Sequence, residues 1–435
     1  MRVLLPLALA LLALAAPARA EDPATAPGLP PLLTLPDALR IAREHAPDEA
    51  IARAGVAQAR AQVRSAGALP NPAFTFMTGW SSQCGDPGCN QPTFVAGLGD
   101  QGLLSALVTG QRSLAVDAAE QAVLGAQASH QDVLRVLDFQ VKQQFVNTAV
   151  AARTARFALE EAAIAGRTLK AARQRRDTGT VSDSDLARLQ VLHGQIEQLA
   201  DRAEQTFEQA RAALARLLGF REDAATFEVD PGPSAVAIVP PGLAGATLAS
   251  LTDEARARRP DLAAARAQLE QARTQASLQR RLVIPTFQIQ AQYAQQGATG
   301  AWFTPPTASV GLSVPIPILY QRQGEIGQAD AAILAAEAMV RKAESQVLAD
   351  VSTAFATLQT TRKSAERSHG RLVPHALDAR NLVEDQYAKG AASLLDYLDA
   401  QRSLLLNQIE GYSALGDFWT AVFQLERAVG VNYVP

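Results

Sequence analysis

Residues 285–293 read Pro-Thr-Phe-Gln-Ile-Gln-Ala-Gln-Tyr, so that Phe287, Ile289, Ala291 and Tyr293 alternate with Gln288, Gln290 and Gln292. Successive side chains of a strand point to opposite faces, which gives this stretch one apolar face and one face of amides. A half-buried strand on a soluble core would show the same alternation. Its setting argues otherwise, because it interrupts a chain of long helical segments and a second alternating run follows directly. In residues 307–314, Ala308, Val310, Leu312 and Val314 alternate with Thr307, Ser309, Gly311 and Ser313. An isolated hairpin is marginal in water, so this one must meet other strands or lipid.

The pattern recurs. Aligning residues 34–76 with 247–289 at a constant offset of 213 gives 17 identities in 43 positions without a gap. They include Thr34/Thr247, Pro47/Pro260, Asp48/Asp261, Pro72/Pro285 and Phe74/Phe287, which shared helical composition does not explain. Each half, residues 34–220 and 247–431, therefore opens with a helix that runs into a strand, and residues 221–246, rich in Pro, Gly and Val, join them. Strands are expected near residues 72–80, 102–109, 285–294 and 307–314. Long helices are expected over 111–177 and 321–389, the second kinked at Pro374. Each ends at a glycine turn, residues 178–182 and 389–393, followed by a returning helix over 183–218 or 394–429.

Length sets the architecture. At 1.5 Å per residue the first long helix spans about 100 Å, and the returning helix and the opening helix, residues 35–69, about 50 Å each. Two short helices laid end to end match one long one. Four strands per chain cannot close a barrel when the smallest bacterial barrels have about eight, whereas three copies supply twelve. The fold expected is mainly α with a small β part: a trimer of long antiparallel helices carrying a shared barrel.

The chain has 435 residues, a formal charge of −3 and only 5% aromatic residues. Arg2, the apolar run 3–16 and Ala18-Arg19-Ala20 read as a secretory signal, residues 1–20, with the mature chain from 21 to 435. Its removal leaves 38 basic against 43 acidic side chains, a balance that disfavours nucleic acid as a partner. No cysteine lies at the cleavage site, so no lipid attachment is expected there, and no uncharged apolar stretch downstream is long enough for a spanning helix. Cys84 and Cys89 lie in a Gly/Pro-rich loop of an exported chain and are read as a disulfide, with free thiols as the alternative. The five histidines form no ligand spacing, and no nucleophile–base pair or phosphate loop stands out. Neither an enzyme, a metal site nor a cofactor is expected.

Helix, strand pair, long helix, tip turn and returning helix, duplicated behind a signal, resemble the TolC family of outer-membrane efflux channels over the whole mature chain. The resemblance implies a homotrimer with a twelve-stranded barrel in the lipid of the Gram-negative outer membrane and an α-helical tunnel through the periplasm. It implies two further partners, a periplasmic adaptor and an inner-membrane pump of the RND type. Residues 310–318, Val-Gly-Leu-Ser-Val-Pro-Ile-Pro-Ile, followed by Gln323-Gly324-Glu325-Ile326, look most like the CzcC-like heavy-metal branch.

By the same resemblance, Asp396 and Asp399, six and nine residues after Gly390, form acidic rings at the periplasmic entrance. Asp185, six after Gly179, matches a position that ties neighbouring helices together when the entrance is shut. Tyr387 is its expected hydrogen-bond partner, since the family's best-known member has an Arg where this chain has Ala392. On a solvated helix start, Asp396 and Asp399 would instead simply favour the helix dipole. The tips, Gly179, Thr180, Val181 and Ser182 with Gly390, Ala391, Ala392 and Ser393, are expected to meet the adaptor. The function expected is a passive exit duct, with heavy-metal cations as one cargo. Its alternatives are a duct for drugs or other small molecules, an ungated uptake pore and a periplasmic helical rod without a channel.

Overall fold

The computed structural model describes residues 29–81, 91–179, 181–220, 227–230, 237–296 and 306–434. The signal segment, Thr180 and the Cys84–Cys89 loop lie outside the described residues. In chain order the elements are β1 (Leu32–Leu33), α1 (Leu35–His45), α2 (Pro47–Ala66), β2 (Ala73–Ser81), β3 (Gln91–Gly99), α3 (Leu103–Val108), α4 (Gln111–Asp177) and α5 (Asp183–Leu217). Then follow β4 (Glu228–Val229), α6 (Leu248–Arg258), α7 (Pro260–Arg281), β5 (Gln288–Gln296), β6 (Thr307–Ser313), α8 (Gln323–Arg367), α9 (Val373–Ala388) and α10 (Leu394–Val429).

The 67 residues of α4 make the rod, about 100 Å long. Against it pack α2, α5, α7 and α10, while α8 packs on α7 and α10. The opening helix of each half is not continuous, contrary to the expected single helix over 35–69. Ala46, at φ −64° and ψ 131°, and Arg259, at φ −68° and ψ 123°, are extended. Each precedes a proline, whose ring crowds the preceding residue out of the α region.

The second long helix breaks where Pro374 lies. A π turn, Ser368–Leu372, separates α8 from α9, and Pro374 sits in the first turn of α9. Proline offers no N–H to the preceding turn, and the wider turn absorbs the lost rung.

The four-stranded sheet has the order β2-β3-β5-β6, with every neighbouring pair antiparallel. Its register puts Phe74 beside Leu98, Leu98 beside Ala291 and Ala291 beside Val310; one row on, Phe76, Ala96, Tyr293 and Ala308 line up in the same way. One face is thus apolar across all four strands and open, with Phe74 72%, Leu98 56% and Val310 78% exposed. The other face carries Thr75, Thr93, Gln290, Gln292, Ser309 and Ser313, interleaved with Gly97, Gly99 and Gly311 and crossed by one apolar row of Met77, Val95 and Ala294.

The return strand of the first hairpin is β3, at Gln91–Gly99, and not residues 102–109, where α3 forms. Asp100 makes the difference. Its carboxylate accepts from the backbone N–H of Gly102 and Leu104, both at 3.2 Å, and from Ile289 N of the other hairpin at 2.8 Å. This caps α3 and fastens the two hairpins together. Among the described residues the pairing of β3 with β5 runs from Thr93 to Gly99, so Pro92 lies outside it.

Midway along the rod lies the main core, in which Leu33, Leu137, Val141, Leu214, Leu262, Val351, Phe418 and Phe423 are buried together. Beside it Lys142 donates to Glu426 at 2.7 Å and to Asn432 at 3.0 Å. The other Glu426 oxygen accepts from the backbone N–H of Tyr433 and Val434, both at 2.7 Å, which ties down the end of the chain. Among the described residues no helix is long and apolar enough to cross a membrane.

Candidate functional site: the tip of the helical rod

Two turns close the end of the rod opposite the sheet. Gly179 and Gly390 take positive φ, 77° and 75°, a region in which a Cβ is strained. Gly390 N donates to Tyr387 O at 3.1 Å and Ala391 N to Gln386 O at 2.7 Å, which satisfies the last carbonyls of α9. Ser182 then caps α5 and Ser393 caps α10.

At the second turn the cap is reciprocal. Ser393 Oγ accepts from Asp396 N at 3.2 Å, and the Asp396 carboxylate accepts from Ser393 N at 3.0 Å and from Ser393 Oγ at 2.7 Å. These hydrogen bonds, the hydroxyl's foremost, hold the Asp396 carboxyl below its usual range. Asp399, one turn on, shares the exposed face of α10. Cations at the tips are engaged locally: Arg176 holds Asp183 at 3.0 Å and Lys389 holds Asp385 at 2.5 Å. Ala392 contributes no charge.

Behind the turns, four helices meet in a small core of Leu169 and Ala172 from α4, Leu189 from α5, and Leu394 and Tyr397 from α10, flanked by Leu186 and by Val383 and Tyr387 of α9. The rings of Tyr387 and Tyr397 stack, with centroids 5.4 Å apart and planes 16° from parallel. Burial raises the pKa of both phenols, and the Asp185 charge adds to the rise at Tyr387. Asp185 is therefore near Tyr387, but within the chain no hydrogen bond joins them among the described residues; Asp185 lies 3.9 Å from Arg188 instead.

Sequence reading missed Tyr397, whose signal was its place four residues after Ser393, on the buried side of the capped helix. It also missed a buried contact above the tip, where Gln401 of α10 donates to Glu161 of α4, and the pair that Arg380 of α9 makes with the partly exposed Glu384 at 2.8 Å. Among the described residues no group of three His, Cys, Asp or Glu side chains is placed to hold a metal ion.

Two segments that together cover most of the chain, residues 38–220 and 251–431, match the family described as outer membrane efflux protein. The chain belongs to that family. This efflux protein is 26% identical over 337 residues to the cobalt-zinc-cadmium resistance protein CzcC of Cupriavidus metallidurans, covering 74% of each chain. Its fold is that of solved outer-membrane channels. The outer membrane protein VceC of Vibrio cholerae superposes with a TM-score of 0.72 at 19% identity, over 92% of this chain and 97% of that one. CusC, a transmembrane channel, gives 0.74 at 19% identity over 92% of each. The efflux protein is thus an outer-membrane duct of TolC-like fold that extends into the periplasm, and its family is one of channels.

Proposed function

We propose that three copies of the efflux protein close one barrel and one tunnel, and that the duct passes divalent metal cations delivered by an RND-type pump through a periplasmic adaptor. The observation that carries the duct is the register of the sheet. It sorts the strands into an apolar face suited to lipid and an uncharged face of amides, hydroxyls and glycines, crossed by the row Met77, Val95 and Ala294, suited to water, and leaves β2 and β6 as edges for neighbouring copies. The tip turns, with their small residues, are the surface for the adaptor. Asp396 and Asp399, repeated threefold, stack two rings of carboxylates at the entrance, which concentrate cations and disfavour anions. Cargo crosses in water, and no bond is made or broken by the duct.

The metal reading rests on the likeness to CzcC and on residues 310–318 and 323–326. Deleting the gene tests it. Growth should become sensitive to cobalt, zinc or cadmium and recover with the gene restored; sensitivity to organic drugs alone would move the protein to the drug-efflux reading.

A further inference from the structure

The apolar surface of the chain does not end with the sheet. β6 stops at Ser313, two residues before Pro315, which has no N–H to extend the ladder, and residues 314–320 then read Val-Pro-Ile-Pro-Ile-Leu-Tyr. Val314 and Ile316 prolong, at two-residue spacing, the apolar row of Val310 and Leu312. Ile316 is 76% exposed and Leu319 97%. The other half of the repeat has the same feature. After β3 comes α3, Leu-Leu-Ser-Ala-Leu-Val, which buries Ser105 and leaves Leu104, Leu107 and Val108 exposed. Both segments lead to a residue of positive φ, Gly110 at 71° and Arg322 at 61°, and each is followed by the glutamine that opens a long helix, Gln111 or Gln323.

Placement says what covers them. β6 is an edge strand, so in a closed barrel a neighbouring copy stands beside the segment that follows it. β3 is an inner strand, paired on both sides within the chain, so α3 lies at the foot of the chain's own sheet, away from the β6 edge. A contact between copies at that seam would cover residues 314–320 and leave α3 bare. A cover common to both runs round the whole barrel, as lipid does, and it is continuous with the apolar face of the sheet. The helix turns that meet the sheet are basic. Arg64 lies in the last turn of α2, Arg112 in the first of α4, Arg280 and Arg281 in the last of α7, and Arg322 precedes α8, against the carboxylate of Glu325. An apolar band, then Tyr320, then arginines is the order of a membrane boundary that meets lipid phosphates.

We propose that α3 and residues 314–320, two segments from each of three copies, form a collar seated in the phospholipid of the periplasmic leaflet. The membrane boundary then lies at the start of the long helices and not at the end of the sheet. The collar rests on reading the apolar face of the sheet as lipid-facing.

The test is fluorescence quenching in full-length trimers reconstituted into vesicles of phosphatidylethanolamine and phosphatidylglycerol. Leu107→Cys, Leu319→Cys and, within the sheet, Leu312→Cys, each in a chain with Cys84→Ser and Cys89→Ser, carry a bimane label, and heat-resistant trimer on a gel confirms assembly. Val108→Cys and Ile316→Cys take the place of a collar variant that does not assemble. Lipid brominated on its acyl chains should quench the labels at 107 and 319 as it does the one at 312, while iodide in the water leaves all three bright. Quenching by iodide at 107 or 319 would put that segment in water, and silence to both quenchers would put it against a neighbouring copy; either result overturns the collar while quenching at 312 leaves the sheet reading intact. A label at 312 that brominated lipid leaves bright would overturn the reading of the sheet, and the collar with it.

Discussion

Asp396 and Ser393 cap one another, the carboxylate lying 2.7 Å from the hydroxyl and 3.0 Å from the backbone nitrogen of Ser393. The residue proposed for the outer acidic ring is thus also the residue that starts the returning helix. Charge and fold can be separated by mutation. Ser393→Ala removes half of the reciprocal cap and should cost about 1 kcal/mol of stability, seen as a lower Tm, while leaving the cation preference of the channel intact. A loss of cation preference in Ser393→Ala would mean that the turn, and not the carboxylate, sets selectivity.

Lys142 and Glu426 are both 3% exposed and 2.7 Å apart, and Glu426 also binds the end of the chain. Lys142→Met would leave a buried carboxylate without its cation, which costs about 3–5 kcal/mol, and thermal unfolding should move down accordingly. Restoring the charge balance with Glu426→Gln in the same chain should recover part of the loss. A silent Lys142→Met would show that the backbone donors alone hold Glu426.

Gly411 lets α10 approach the π turn. Gly411→Ala sets a methyl group 2.7 Å from Val373 Cγ2, closer than carbon atoms pack, and should destabilise by about 1–3 kcal/mol. Val373→Ala in the same chain makes room and should return most of it. Denaturant unfolding of the two single variants and the double measures this coupling; purely additive effects would place the contact elsewhere.

The sheet makes a directional prediction. Leu312, on the apolar face and 67% exposed, should not tolerate Arg, which costs roughly 2–4 kcal/mol at the middle of a bilayer and less near its edges. Gln290, on the opposite face, should tolerate it with normal assembly. Heat-resistant trimer on a gel reads both, and equal damage from the two substitutions would contradict the assignment of faces.

Much of this was legible before the fold was known, and the reasons are local. Gly179 and Gly390 announce turns because few other residues hold a positive φ, and the Ala-, Leu- and Gln-rich runs between them and the hairpins admit only helix. The alternation from Phe287 to Tyr293 marks its strand without help. β3 escaped because Pro92, Gly97 and Gly99 blur its alternation, and only pairing with β2 and β5 makes it a strand. The breaks at Ala46 and Arg259 carried a signal in Pro47 and Pro260, which were read for the repeat and not for backbone geometry. The buried contact between Glu161 and Gln401 had no signal of its own. It joins residues 240 positions apart, brought together only by the packing of α4 against α10.

The most direct measurement is ion selectivity of the purified protein in a planar bilayer under a salt gradient. The account predicts a discrete, cation-preferring conductance, with Asp396→Ala and Asp399→Ala together moving the reversal potential toward zero. No channel at all, or a reversal potential that both substitutions leave unchanged, would contradict it.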